Sequence, residues 1–183
     1  MKEAEKENIT AELMRVIPQI QVNVPSELIP DDGMELVYAI PGARIPAEVA
    51  SCIITLPHSG HNACPPVRFD CSTPMVSAIL TALRFSPEIR CASGIRYSKG
   101  LRSITDNMLL ETCTVRAEKI PKGVSTMDWA VAFCSEQESG VPDVLFIETD
   151  GKTPAQARLF GEKPGSVATN LIKIAQRIID ATH

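Results

Sequence analysis

Aromatic residues are scarce in this chain, at 4% of its 183 residues, and long apolar runs are missing. The core must therefore be built mostly from aliphatic side chains. No stretch approaches the roughly 20 apolar residues that a membrane-spanning helix needs, so the sequence predicts no membrane span. A basic excess is missing too, because 18 Lys and Arg residues face 22 Asp and Glu residues, for a net charge of -4. Direct nucleic-acid binding is therefore not expected, since it needs a cationic face.

The N-terminus and the cysteines both bear on the cellular compartment. Residues 1–7 carry charges of both signs and lack the apolar core of a signal peptide, which predicts a cytoplasmic protein. The six cysteines are spread through predicted strands and helices, at Cys52, Cys64, Cys71, Cys91, Cys113 and Cys134. In a reducing compartment we expect buried thiols rather than disulfides.

Hydrophobic periodicity predicts an amphipathic helix within residues 1–22. Its buried face consists of Ile9, Leu13, Val16, Ile17 and Ile20. We expect this helix to pack on the rest of one domain that spans residues 1–183.

Helical and strand patterns alternate along the rest of the chain. Strands are predicted near residues 35–40, 52–56, 92–97, 111–116, 143–147 and 157–160, and further helices start near residues 74, 99, 125 and 164. This alternation is typical of a layered α/β domain in which helices flank a central sheet. No helix separates the first two strands or the last two, so the sheet is expected to be mixed.

A marked helix start follows residue 71 and suggests a site for an anion. Ser72 or Thr73 can cap the helix, and Pro74 suits its first position. A capped helix start beside a cation is a natural place to hold a phosphate. The predicted phosphate-binding residues are Ser72, Thr73, Arg96, Ser98 and Lys152, provided that the fold brings them together. Arg96 in a surface ion pair and Lys152 in a solvated turn are the alternatives.

Three other features of the sequence each have more than one interpretation. His58, His61, Cys64 and Cys71 have side chains that suit zinc, and Cys64 or Cys71 could act as a nucleophile. The structural alternative, which we favour, is a polar loop with its cysteines turned inward. Trp129 can stack on a heteroaromatic ligand, but core packing is the favoured interpretation. The apolar stripe of the last helix is either core or the face of a homodimer.

Several short segments, in their order along the chain, resemble the ThiN-type thiamine-phosphate synthase domain. They cover nearly the whole chain, from Lys6 to Ile178, and include Val37–Ala43, Ala78–Arg90, Ile95–Ser98, Ser125–Trp129, Gly140–Val144 and Gly151–Lys152. The resemblance implies an enzyme that joins hydroxymethylpyrimidine pyrophosphate to hydroxyethylthiazole phosphate, usually with Mg²⁺. Asp70 and Asp150 are candidate ligands for that Mg²⁺ by residue type.

The sequence departs from the family pattern at three places that bear on activity. Active members of the family have a Ser-x-His pattern at the helix start, whereas this chain has Ser72-Thr73-Pro74. The proline side chain cannot transfer a proton. The arginine that the family carries near residues 51–53 is also missing there, and Gly33-Met34-Glu35 replaces a more usual Gly-x-Asn. Two functions therefore stay open: a thiamine-phosphate synthase, and a ThiN-like binding module that senses thiamine phosphate or a related phosphorylated ligand.

Overall fold

The computed structural model describes residues 2–55, 65–137, 139–149, 151 and 155–182. Within them, five α-helices surround a seven-stranded sheet. The helices are α1 (Lys2–Asn23), α2 (Pro74–Phe85), α3 (Lys99–Asn107), α4 (Thr126–Gln137) and α5 (Pro164–Thr182). The strands are β1 (Met34–Ala39), β2 (Val49–Ile54), β3 (Arg68–Phe69), β4 (Cys91–Arg96), β5 (Thr112–Arg116), β6 (Val144–Glu148) and β7 (Gln156–Gly161).

The sheet is mixed, as the sequence predicts. Its strand order is β3-β2-β1-β4-β7-β6-β5, and only the β5–β6 pair is parallel. The two strand pairs without a connecting helix, β1–β2 and β6–β7, are antiparallel. The short strand β3, which the hydrophobic pattern does not predict, extends the β2 edge.

Helices cover the two faces of the sheet. Helices α2 and α4 pack together on one face. The Glu35 side chain lies on this face, where it accepts a hydrogen bond from Thr73 at the start of α2. Helices α1 and α5 pack together on the opposite face. There Tyr38 lies near α1, and burial together with a hydrogen bond to Glu12 raises its pKa to about 12. The predicted layered α/β architecture is therefore confirmed.

The N-terminal helix buries the face that its periodicity predicts. All five of its predicted apolar residues, Ile9, Leu13, Val16, Ile17 and Ile20, are buried. Helix α2 likewise buries Met75, Ile79, Ala82 and Leu83. No described helix is long and apolar enough to cross a membrane.

The cysteine prediction is wrong for two residues. Cys113 on β5 and Cys134 on α4 form a disulfide, because α4 packs on β5 and brings the two Cα atoms to 5.9 Å. That separation lies within the range that a disulfide spans. We predicted thiols because we expected a reducing compartment. The sequence pattern does not show that α4 packs on β5, so the pairing of these two cysteines could not be predicted from it. Cys52, Cys71 and Cys91 are not in disulfides within the described residues, and Cys64 lies outside them.

Two neighbouring residues of α1 give a matched test of this packing. Leu13 is fully buried, whereas Met14 is 50% exposed. We expect Leu13→Ala to lower the free energy of unfolding by about 2–5 kcal/mol, because it leaves a cavity between α1 and the sheet. Met14→Ala should change it by less than about 0.5 kcal/mol. Urea denaturation measures both, and equal effects would mean that α1 is not docked in this way.

Candidate functional site

Glu35 is a charged side chain in a strand whose other residues are buried. Its Oε2 atom accepts hydrogen bonds from the Ser51 hydroxyl and from the Thr73 hydroxyl, each at 2.7 Å. Hydrogen bonds to a charged acceptor are stronger than those between neutral groups. The carboxylate therefore joins β1, β2 and the start of α2.

Thr73 is the N-cap of α2. Its side-chain oxygen accepts a hydrogen bond from the Val76 amide at 3.2 Å, and its hydroxyl group donates a hydrogen bond to the Glu35 carboxylate. Pro74 follows at the first helical position, where its missing N–H leaves no intrahelical bond unmade. Ser72, the other candidate for the cap, is exposed and does not cap the helix.

A small cavity of about 260 Å³, the Thr73 cavity, opens beside this helix start. It is lined by Ser51, Cys52, Ile53, Pro66, Arg68, Cys71 and Thr73. Arg68 comes from β3 and pairs in register with Ser51. An arginine therefore stands beside residues 51–53 in space, although the sequence has none within them.

Arg158 occupies the same face of the sheet on β7. It pairs with Gly94 on β4, and the β1–β4 register, continued by one residue, puts Glu35 opposite Gly94. A Cβ atom at Gly94 would lie 3.5 Å from Arg158 Nη1, so the guanidinium extends over the glycine towards β1. Burial lowers the pKa of Arg158, and the charges of Glu35 and Asp32 act in the opposite direction. An arginine nevertheless stays protonated near neutral pH.

Two of the three guanidinium nitrogens of Arg158 are paired. Nη1 donates to the Ala157 carbonyl at 2.9 Å and Nη2 donates to the Gln156 side chain at 3.1 Å. Nε is buried and has no hydrogen-bond partner within the described residues. A buried donor without a partner costs about 1–3 kcal/mol, so this N–H is a candidate ligand-binding group.

A larger cavity, the Arg158 cavity, measures about 520 Å³. Its lining consists of Pro30, Asp31, Asp32, Ile95, Arg96, Tyr97, Ala155, Gln156 and Arg158. Arg96 donates from Nε to the Ile29 carbonyl at 3.0 Å and forms an ion pair with Asp31 at 2.6 Å. The Asp31 side chain is 93% exposed, so this pair can open at little cost.

The predicted phosphate-binding residues do not all meet in one cavity. Thr73 lines the Thr73 cavity, whereas Arg96 lines the Arg158 cavity. Glu35 is hydrogen-bonded to Thr73, and its negative charge favours the protonated form of Arg158. Ser98 caps α3 by accepting from the Leu101 amide at 3.1 Å. Lys152 lies outside the described residues.

The alternative metal or nucleophile cluster is described only at Cys71. This side chain is half-buried, lines the Thr73 cavity, and donates from Sγ to the Phe69 carbonyl at 3.9 Å. His58, His61 and Cys64 lie outside the described residues. Within the described part of the chain, no group of three or more His, Cys, Asp or Glu residues could hold a metal ion.

Two central residues, Glu35 and Arg158, were not among the predicted site residues. Each is a charged side chain inside a strand that is otherwise largely buried. Charged residues are rarely buried without a partner, so an isolated charge in an apolar strand indicates an ion pair or a ligand. That signal is present in the sequence, but it does not say which charges meet.

Comparison with known proteins gives one family. The model described as thiamine-phosphate synthase ThiN matches residues 10–173. A bifunctional thiamine biosynthesis protein ThiDN from Methanocaldococcus jannaschii is 29% identical over 155 residues, which cover 82% of this chain and 36% of that protein. The chain therefore spans about a third of the length of this curated relative.

Solved structures show the same fold. The C-terminal domain of a phosphomethylpyrimidine kinase has a TM-score of 0.81 and 26% identity, over 93% of this chain and all (100%) of that domain. The C-terminal domain of a Methanocaldococcus jannaschii protein has a TM-score of 0.85 and 23% identity, over 97% of this chain and 98% of that one.

Substitution of the helix cap tests the Glu35 arrangement. We expect Thr73→Val to lower the free energy of unfolding by about 2–3 kcal/mol, because it removes both the cap and a hydrogen bond to a carboxylate. Thr73→Ser keeps the hydroxyl and should stay within about 0.5 kcal/mol of the parent protein. Urea denaturation is the measurement. If Ser72→Ala is as destabilising as Thr73→Val, Thr73 is not the cap.

Proposed function

The chain belongs to the thiamine-phosphate synthase ThiN family, and on that premise we propose that it forms thiamine phosphate. The substrates are hydroxymethylpyrimidine pyrophosphate and hydroxyethylthiazole phosphate, and the second product is pyrophosphate. The thiazole nitrogen forms a bond to the methylene carbon of the pyrimidine as the bond from that carbon to the pyrophosphate oxygen breaks. The electron pair of the broken bond leaves with pyrophosphate.

This reaction requires a group that stabilises negative charge on the departing pyrophosphate. Preorganised donors and cations in a water-poor site provide that stabilisation, and guanidinium groups match phosphate oxygens well. The Arg158 cavity holds two arginines, and its volume of about 520 Å³ suits a ligand of this size. We propose that the pyrophosphate binds there.

The observation that carries the proposal is the buried, unpartnered Nε–H of Arg158. A phosphate oxygen would supply the missing acceptor. Phosphate would also draw Arg96 from its exposed partner Asp31, because phosphate carries more charge than one carboxylate. Both changes favour the bound state of an anion over the free state.

The donor set also suits Mg²⁺, which the family resemblance implies. Mg²⁺ on phosphates is usually held by one or two carboxylates, substrate oxygens and water. Asp31 and Asp32 line the Arg158 cavity and are the carboxylates we propose for this role. Bound there, Mg²⁺ would neutralise charge on the leaving group. Asp70 is exposed and lines neither cavity of the site, and Asp150 lies outside the described residues.

Turnover by the purified chain tests the proposal. With both phosphorylated substrates and Mg²⁺, we expect thiamine phosphate to form, as measured by thiochrome fluorescence. Arg158→Gln should lower kcat/KM by about 100-fold, because it removes a charged donor from the developing negative charge. Arg116→Gln is the matched control, since Arg116 is exposed on edge strand β5 and pairs with Glu118. Its kcat/KM should stay within about twofold of the parent value.

Two results would contradict the proposal. The first is turnover that Arg158→Gln leaves unchanged, which would move the phosphate site elsewhere. The second is no product from a preparation whose unfolding transition is cooperative.

A second candidate function is a ThiN domain that binds its ligand without turnover. Pro74 favours it, because the residue at the first position of α2 has no group that can donate or accept a proton. In that case thiamine phosphate should bind in calorimetry and binding should weaken in Arg158→Gln, while the turnover assay gives no product. The parent protein and Arg158→Gln, each assayed for binding and for turnover, thus distinguish the synthase from the binding module.

A further inference from the structure

A further open region of the surface lies between α2 and α4. This α2–α4 groove measures about 620 Å³ and shares Arg44, Leu80 and Arg84 with a neighbouring cavity of about 520 Å³. No residue that lines the groove also lines the Arg158 cavity or the Thr73 cavity. The groove is therefore separate from the site proposed above.

One member of an aromatic pair, Trp129, lines the groove. It is half-buried, and its ring stacks on Phe133 with the ring centres 5.0 Å apart and the planes at 11°. Stacking fixes the orientation of the indole. A fixed, partly exposed indole offers a surface on which a flat ligand ring can pack. Core packing, the favoured interpretation of Trp129, therefore accounts for only part of its surface.

Charged groups of both signs also line the groove. Arg44 and Arg84 both line it and are exposed, and neither takes part in an ion pair within the described residues. The carboxylate of Asp128 accepts a hydrogen bond from the Thr81 hydroxyl at 3.3 Å. In a chain with a net charge of -4, two unpaired guanidiniums beside an indole form a local site for an anion.

We propose that the α2–α4 groove binds a phosphorylated heteroaromatic compound with an exocyclic amino group, of the adenine nucleotide type. The ring packs against Trp129, and the amino group donates to Asp128. The phosphate is held by Arg44 and Arg84. Each part of such a ligand meets a group already present in the groove, and the proposal does not depend on the synthase reaction.

The probe for this site is built into the chain, because Trp129 is its only tryptophan. Titration with adenosine 5′-monophosphate should quench its fluorescence with saturation, and calorimetry should give the same dissociation constant. Adenosine and inorganic phosphate should each bind at least tenfold more weakly, since adenosine lacks the phosphate and inorganic phosphate lacks the ring and its amino group.

Variants locate the binding and separate this inference from the proposed function. Arg84→Gln should weaken nucleotide binding at least tenfold, whereas Arg177→Gln, at an exposed arginine of α5, should not change it. Arg158→Gln should leave the quenching intact. The inference is overturned by binding without quenching, by no binding at all, or by quenching that survives Arg84→Gln. Loss of quenching in Arg158→Gln alone would overturn it too, while leaving the synthase proposal in place.

Discussion

The Glu35 carboxylate fixes the point at which β1, β2 and α2 meet. One of its oxygens accepts from both Ser51 and Thr73, and Thr73 in turn caps α2. Moving any of these three elements would leave a partly buried carboxylate short of hydrogen bonds, which is unfavourable. The position of α2, and with it the wall of the Thr73 cavity, depends on this arrangement.

A second constraint comes from the charge of Arg158. Its guanidinium is largely withdrawn from water, and Glu35 and Asp32 are the acidic groups whose fields favour its charged form. Glu35 thus has two roles, one in holding the helix start and one in balancing the arginine. Neither acidic group accepts a hydrogen bond from Arg158 Nε–H, so this donor is available to a ligand.

Local signals account for the parts of the structure that the sequence could predict. The buried face of α1 and the start of α2 depend on residues three to four apart, and both were predictable. The mixed sheet followed from strands without a helix between them. Glu35 and Arg158 reach the same face of the sheet from positions 123 residues apart in the chain, and no local pattern encodes that arrangement. The Cys113–Cys134 disulfide escaped prediction for the same reason, since it depends on α4 packing against β5.

A crystal structure of the chain with pyrophosphate tests the central claim most directly. The account predicts phosphate density in the Arg158 cavity, with a phosphate oxygen within hydrogen-bond distance of Arg158 Nε. It also predicts that Arg96 turns from Asp31 towards the phosphate. Phosphate bound elsewhere, with Arg158 Nε still without a partner, would contradict the claim.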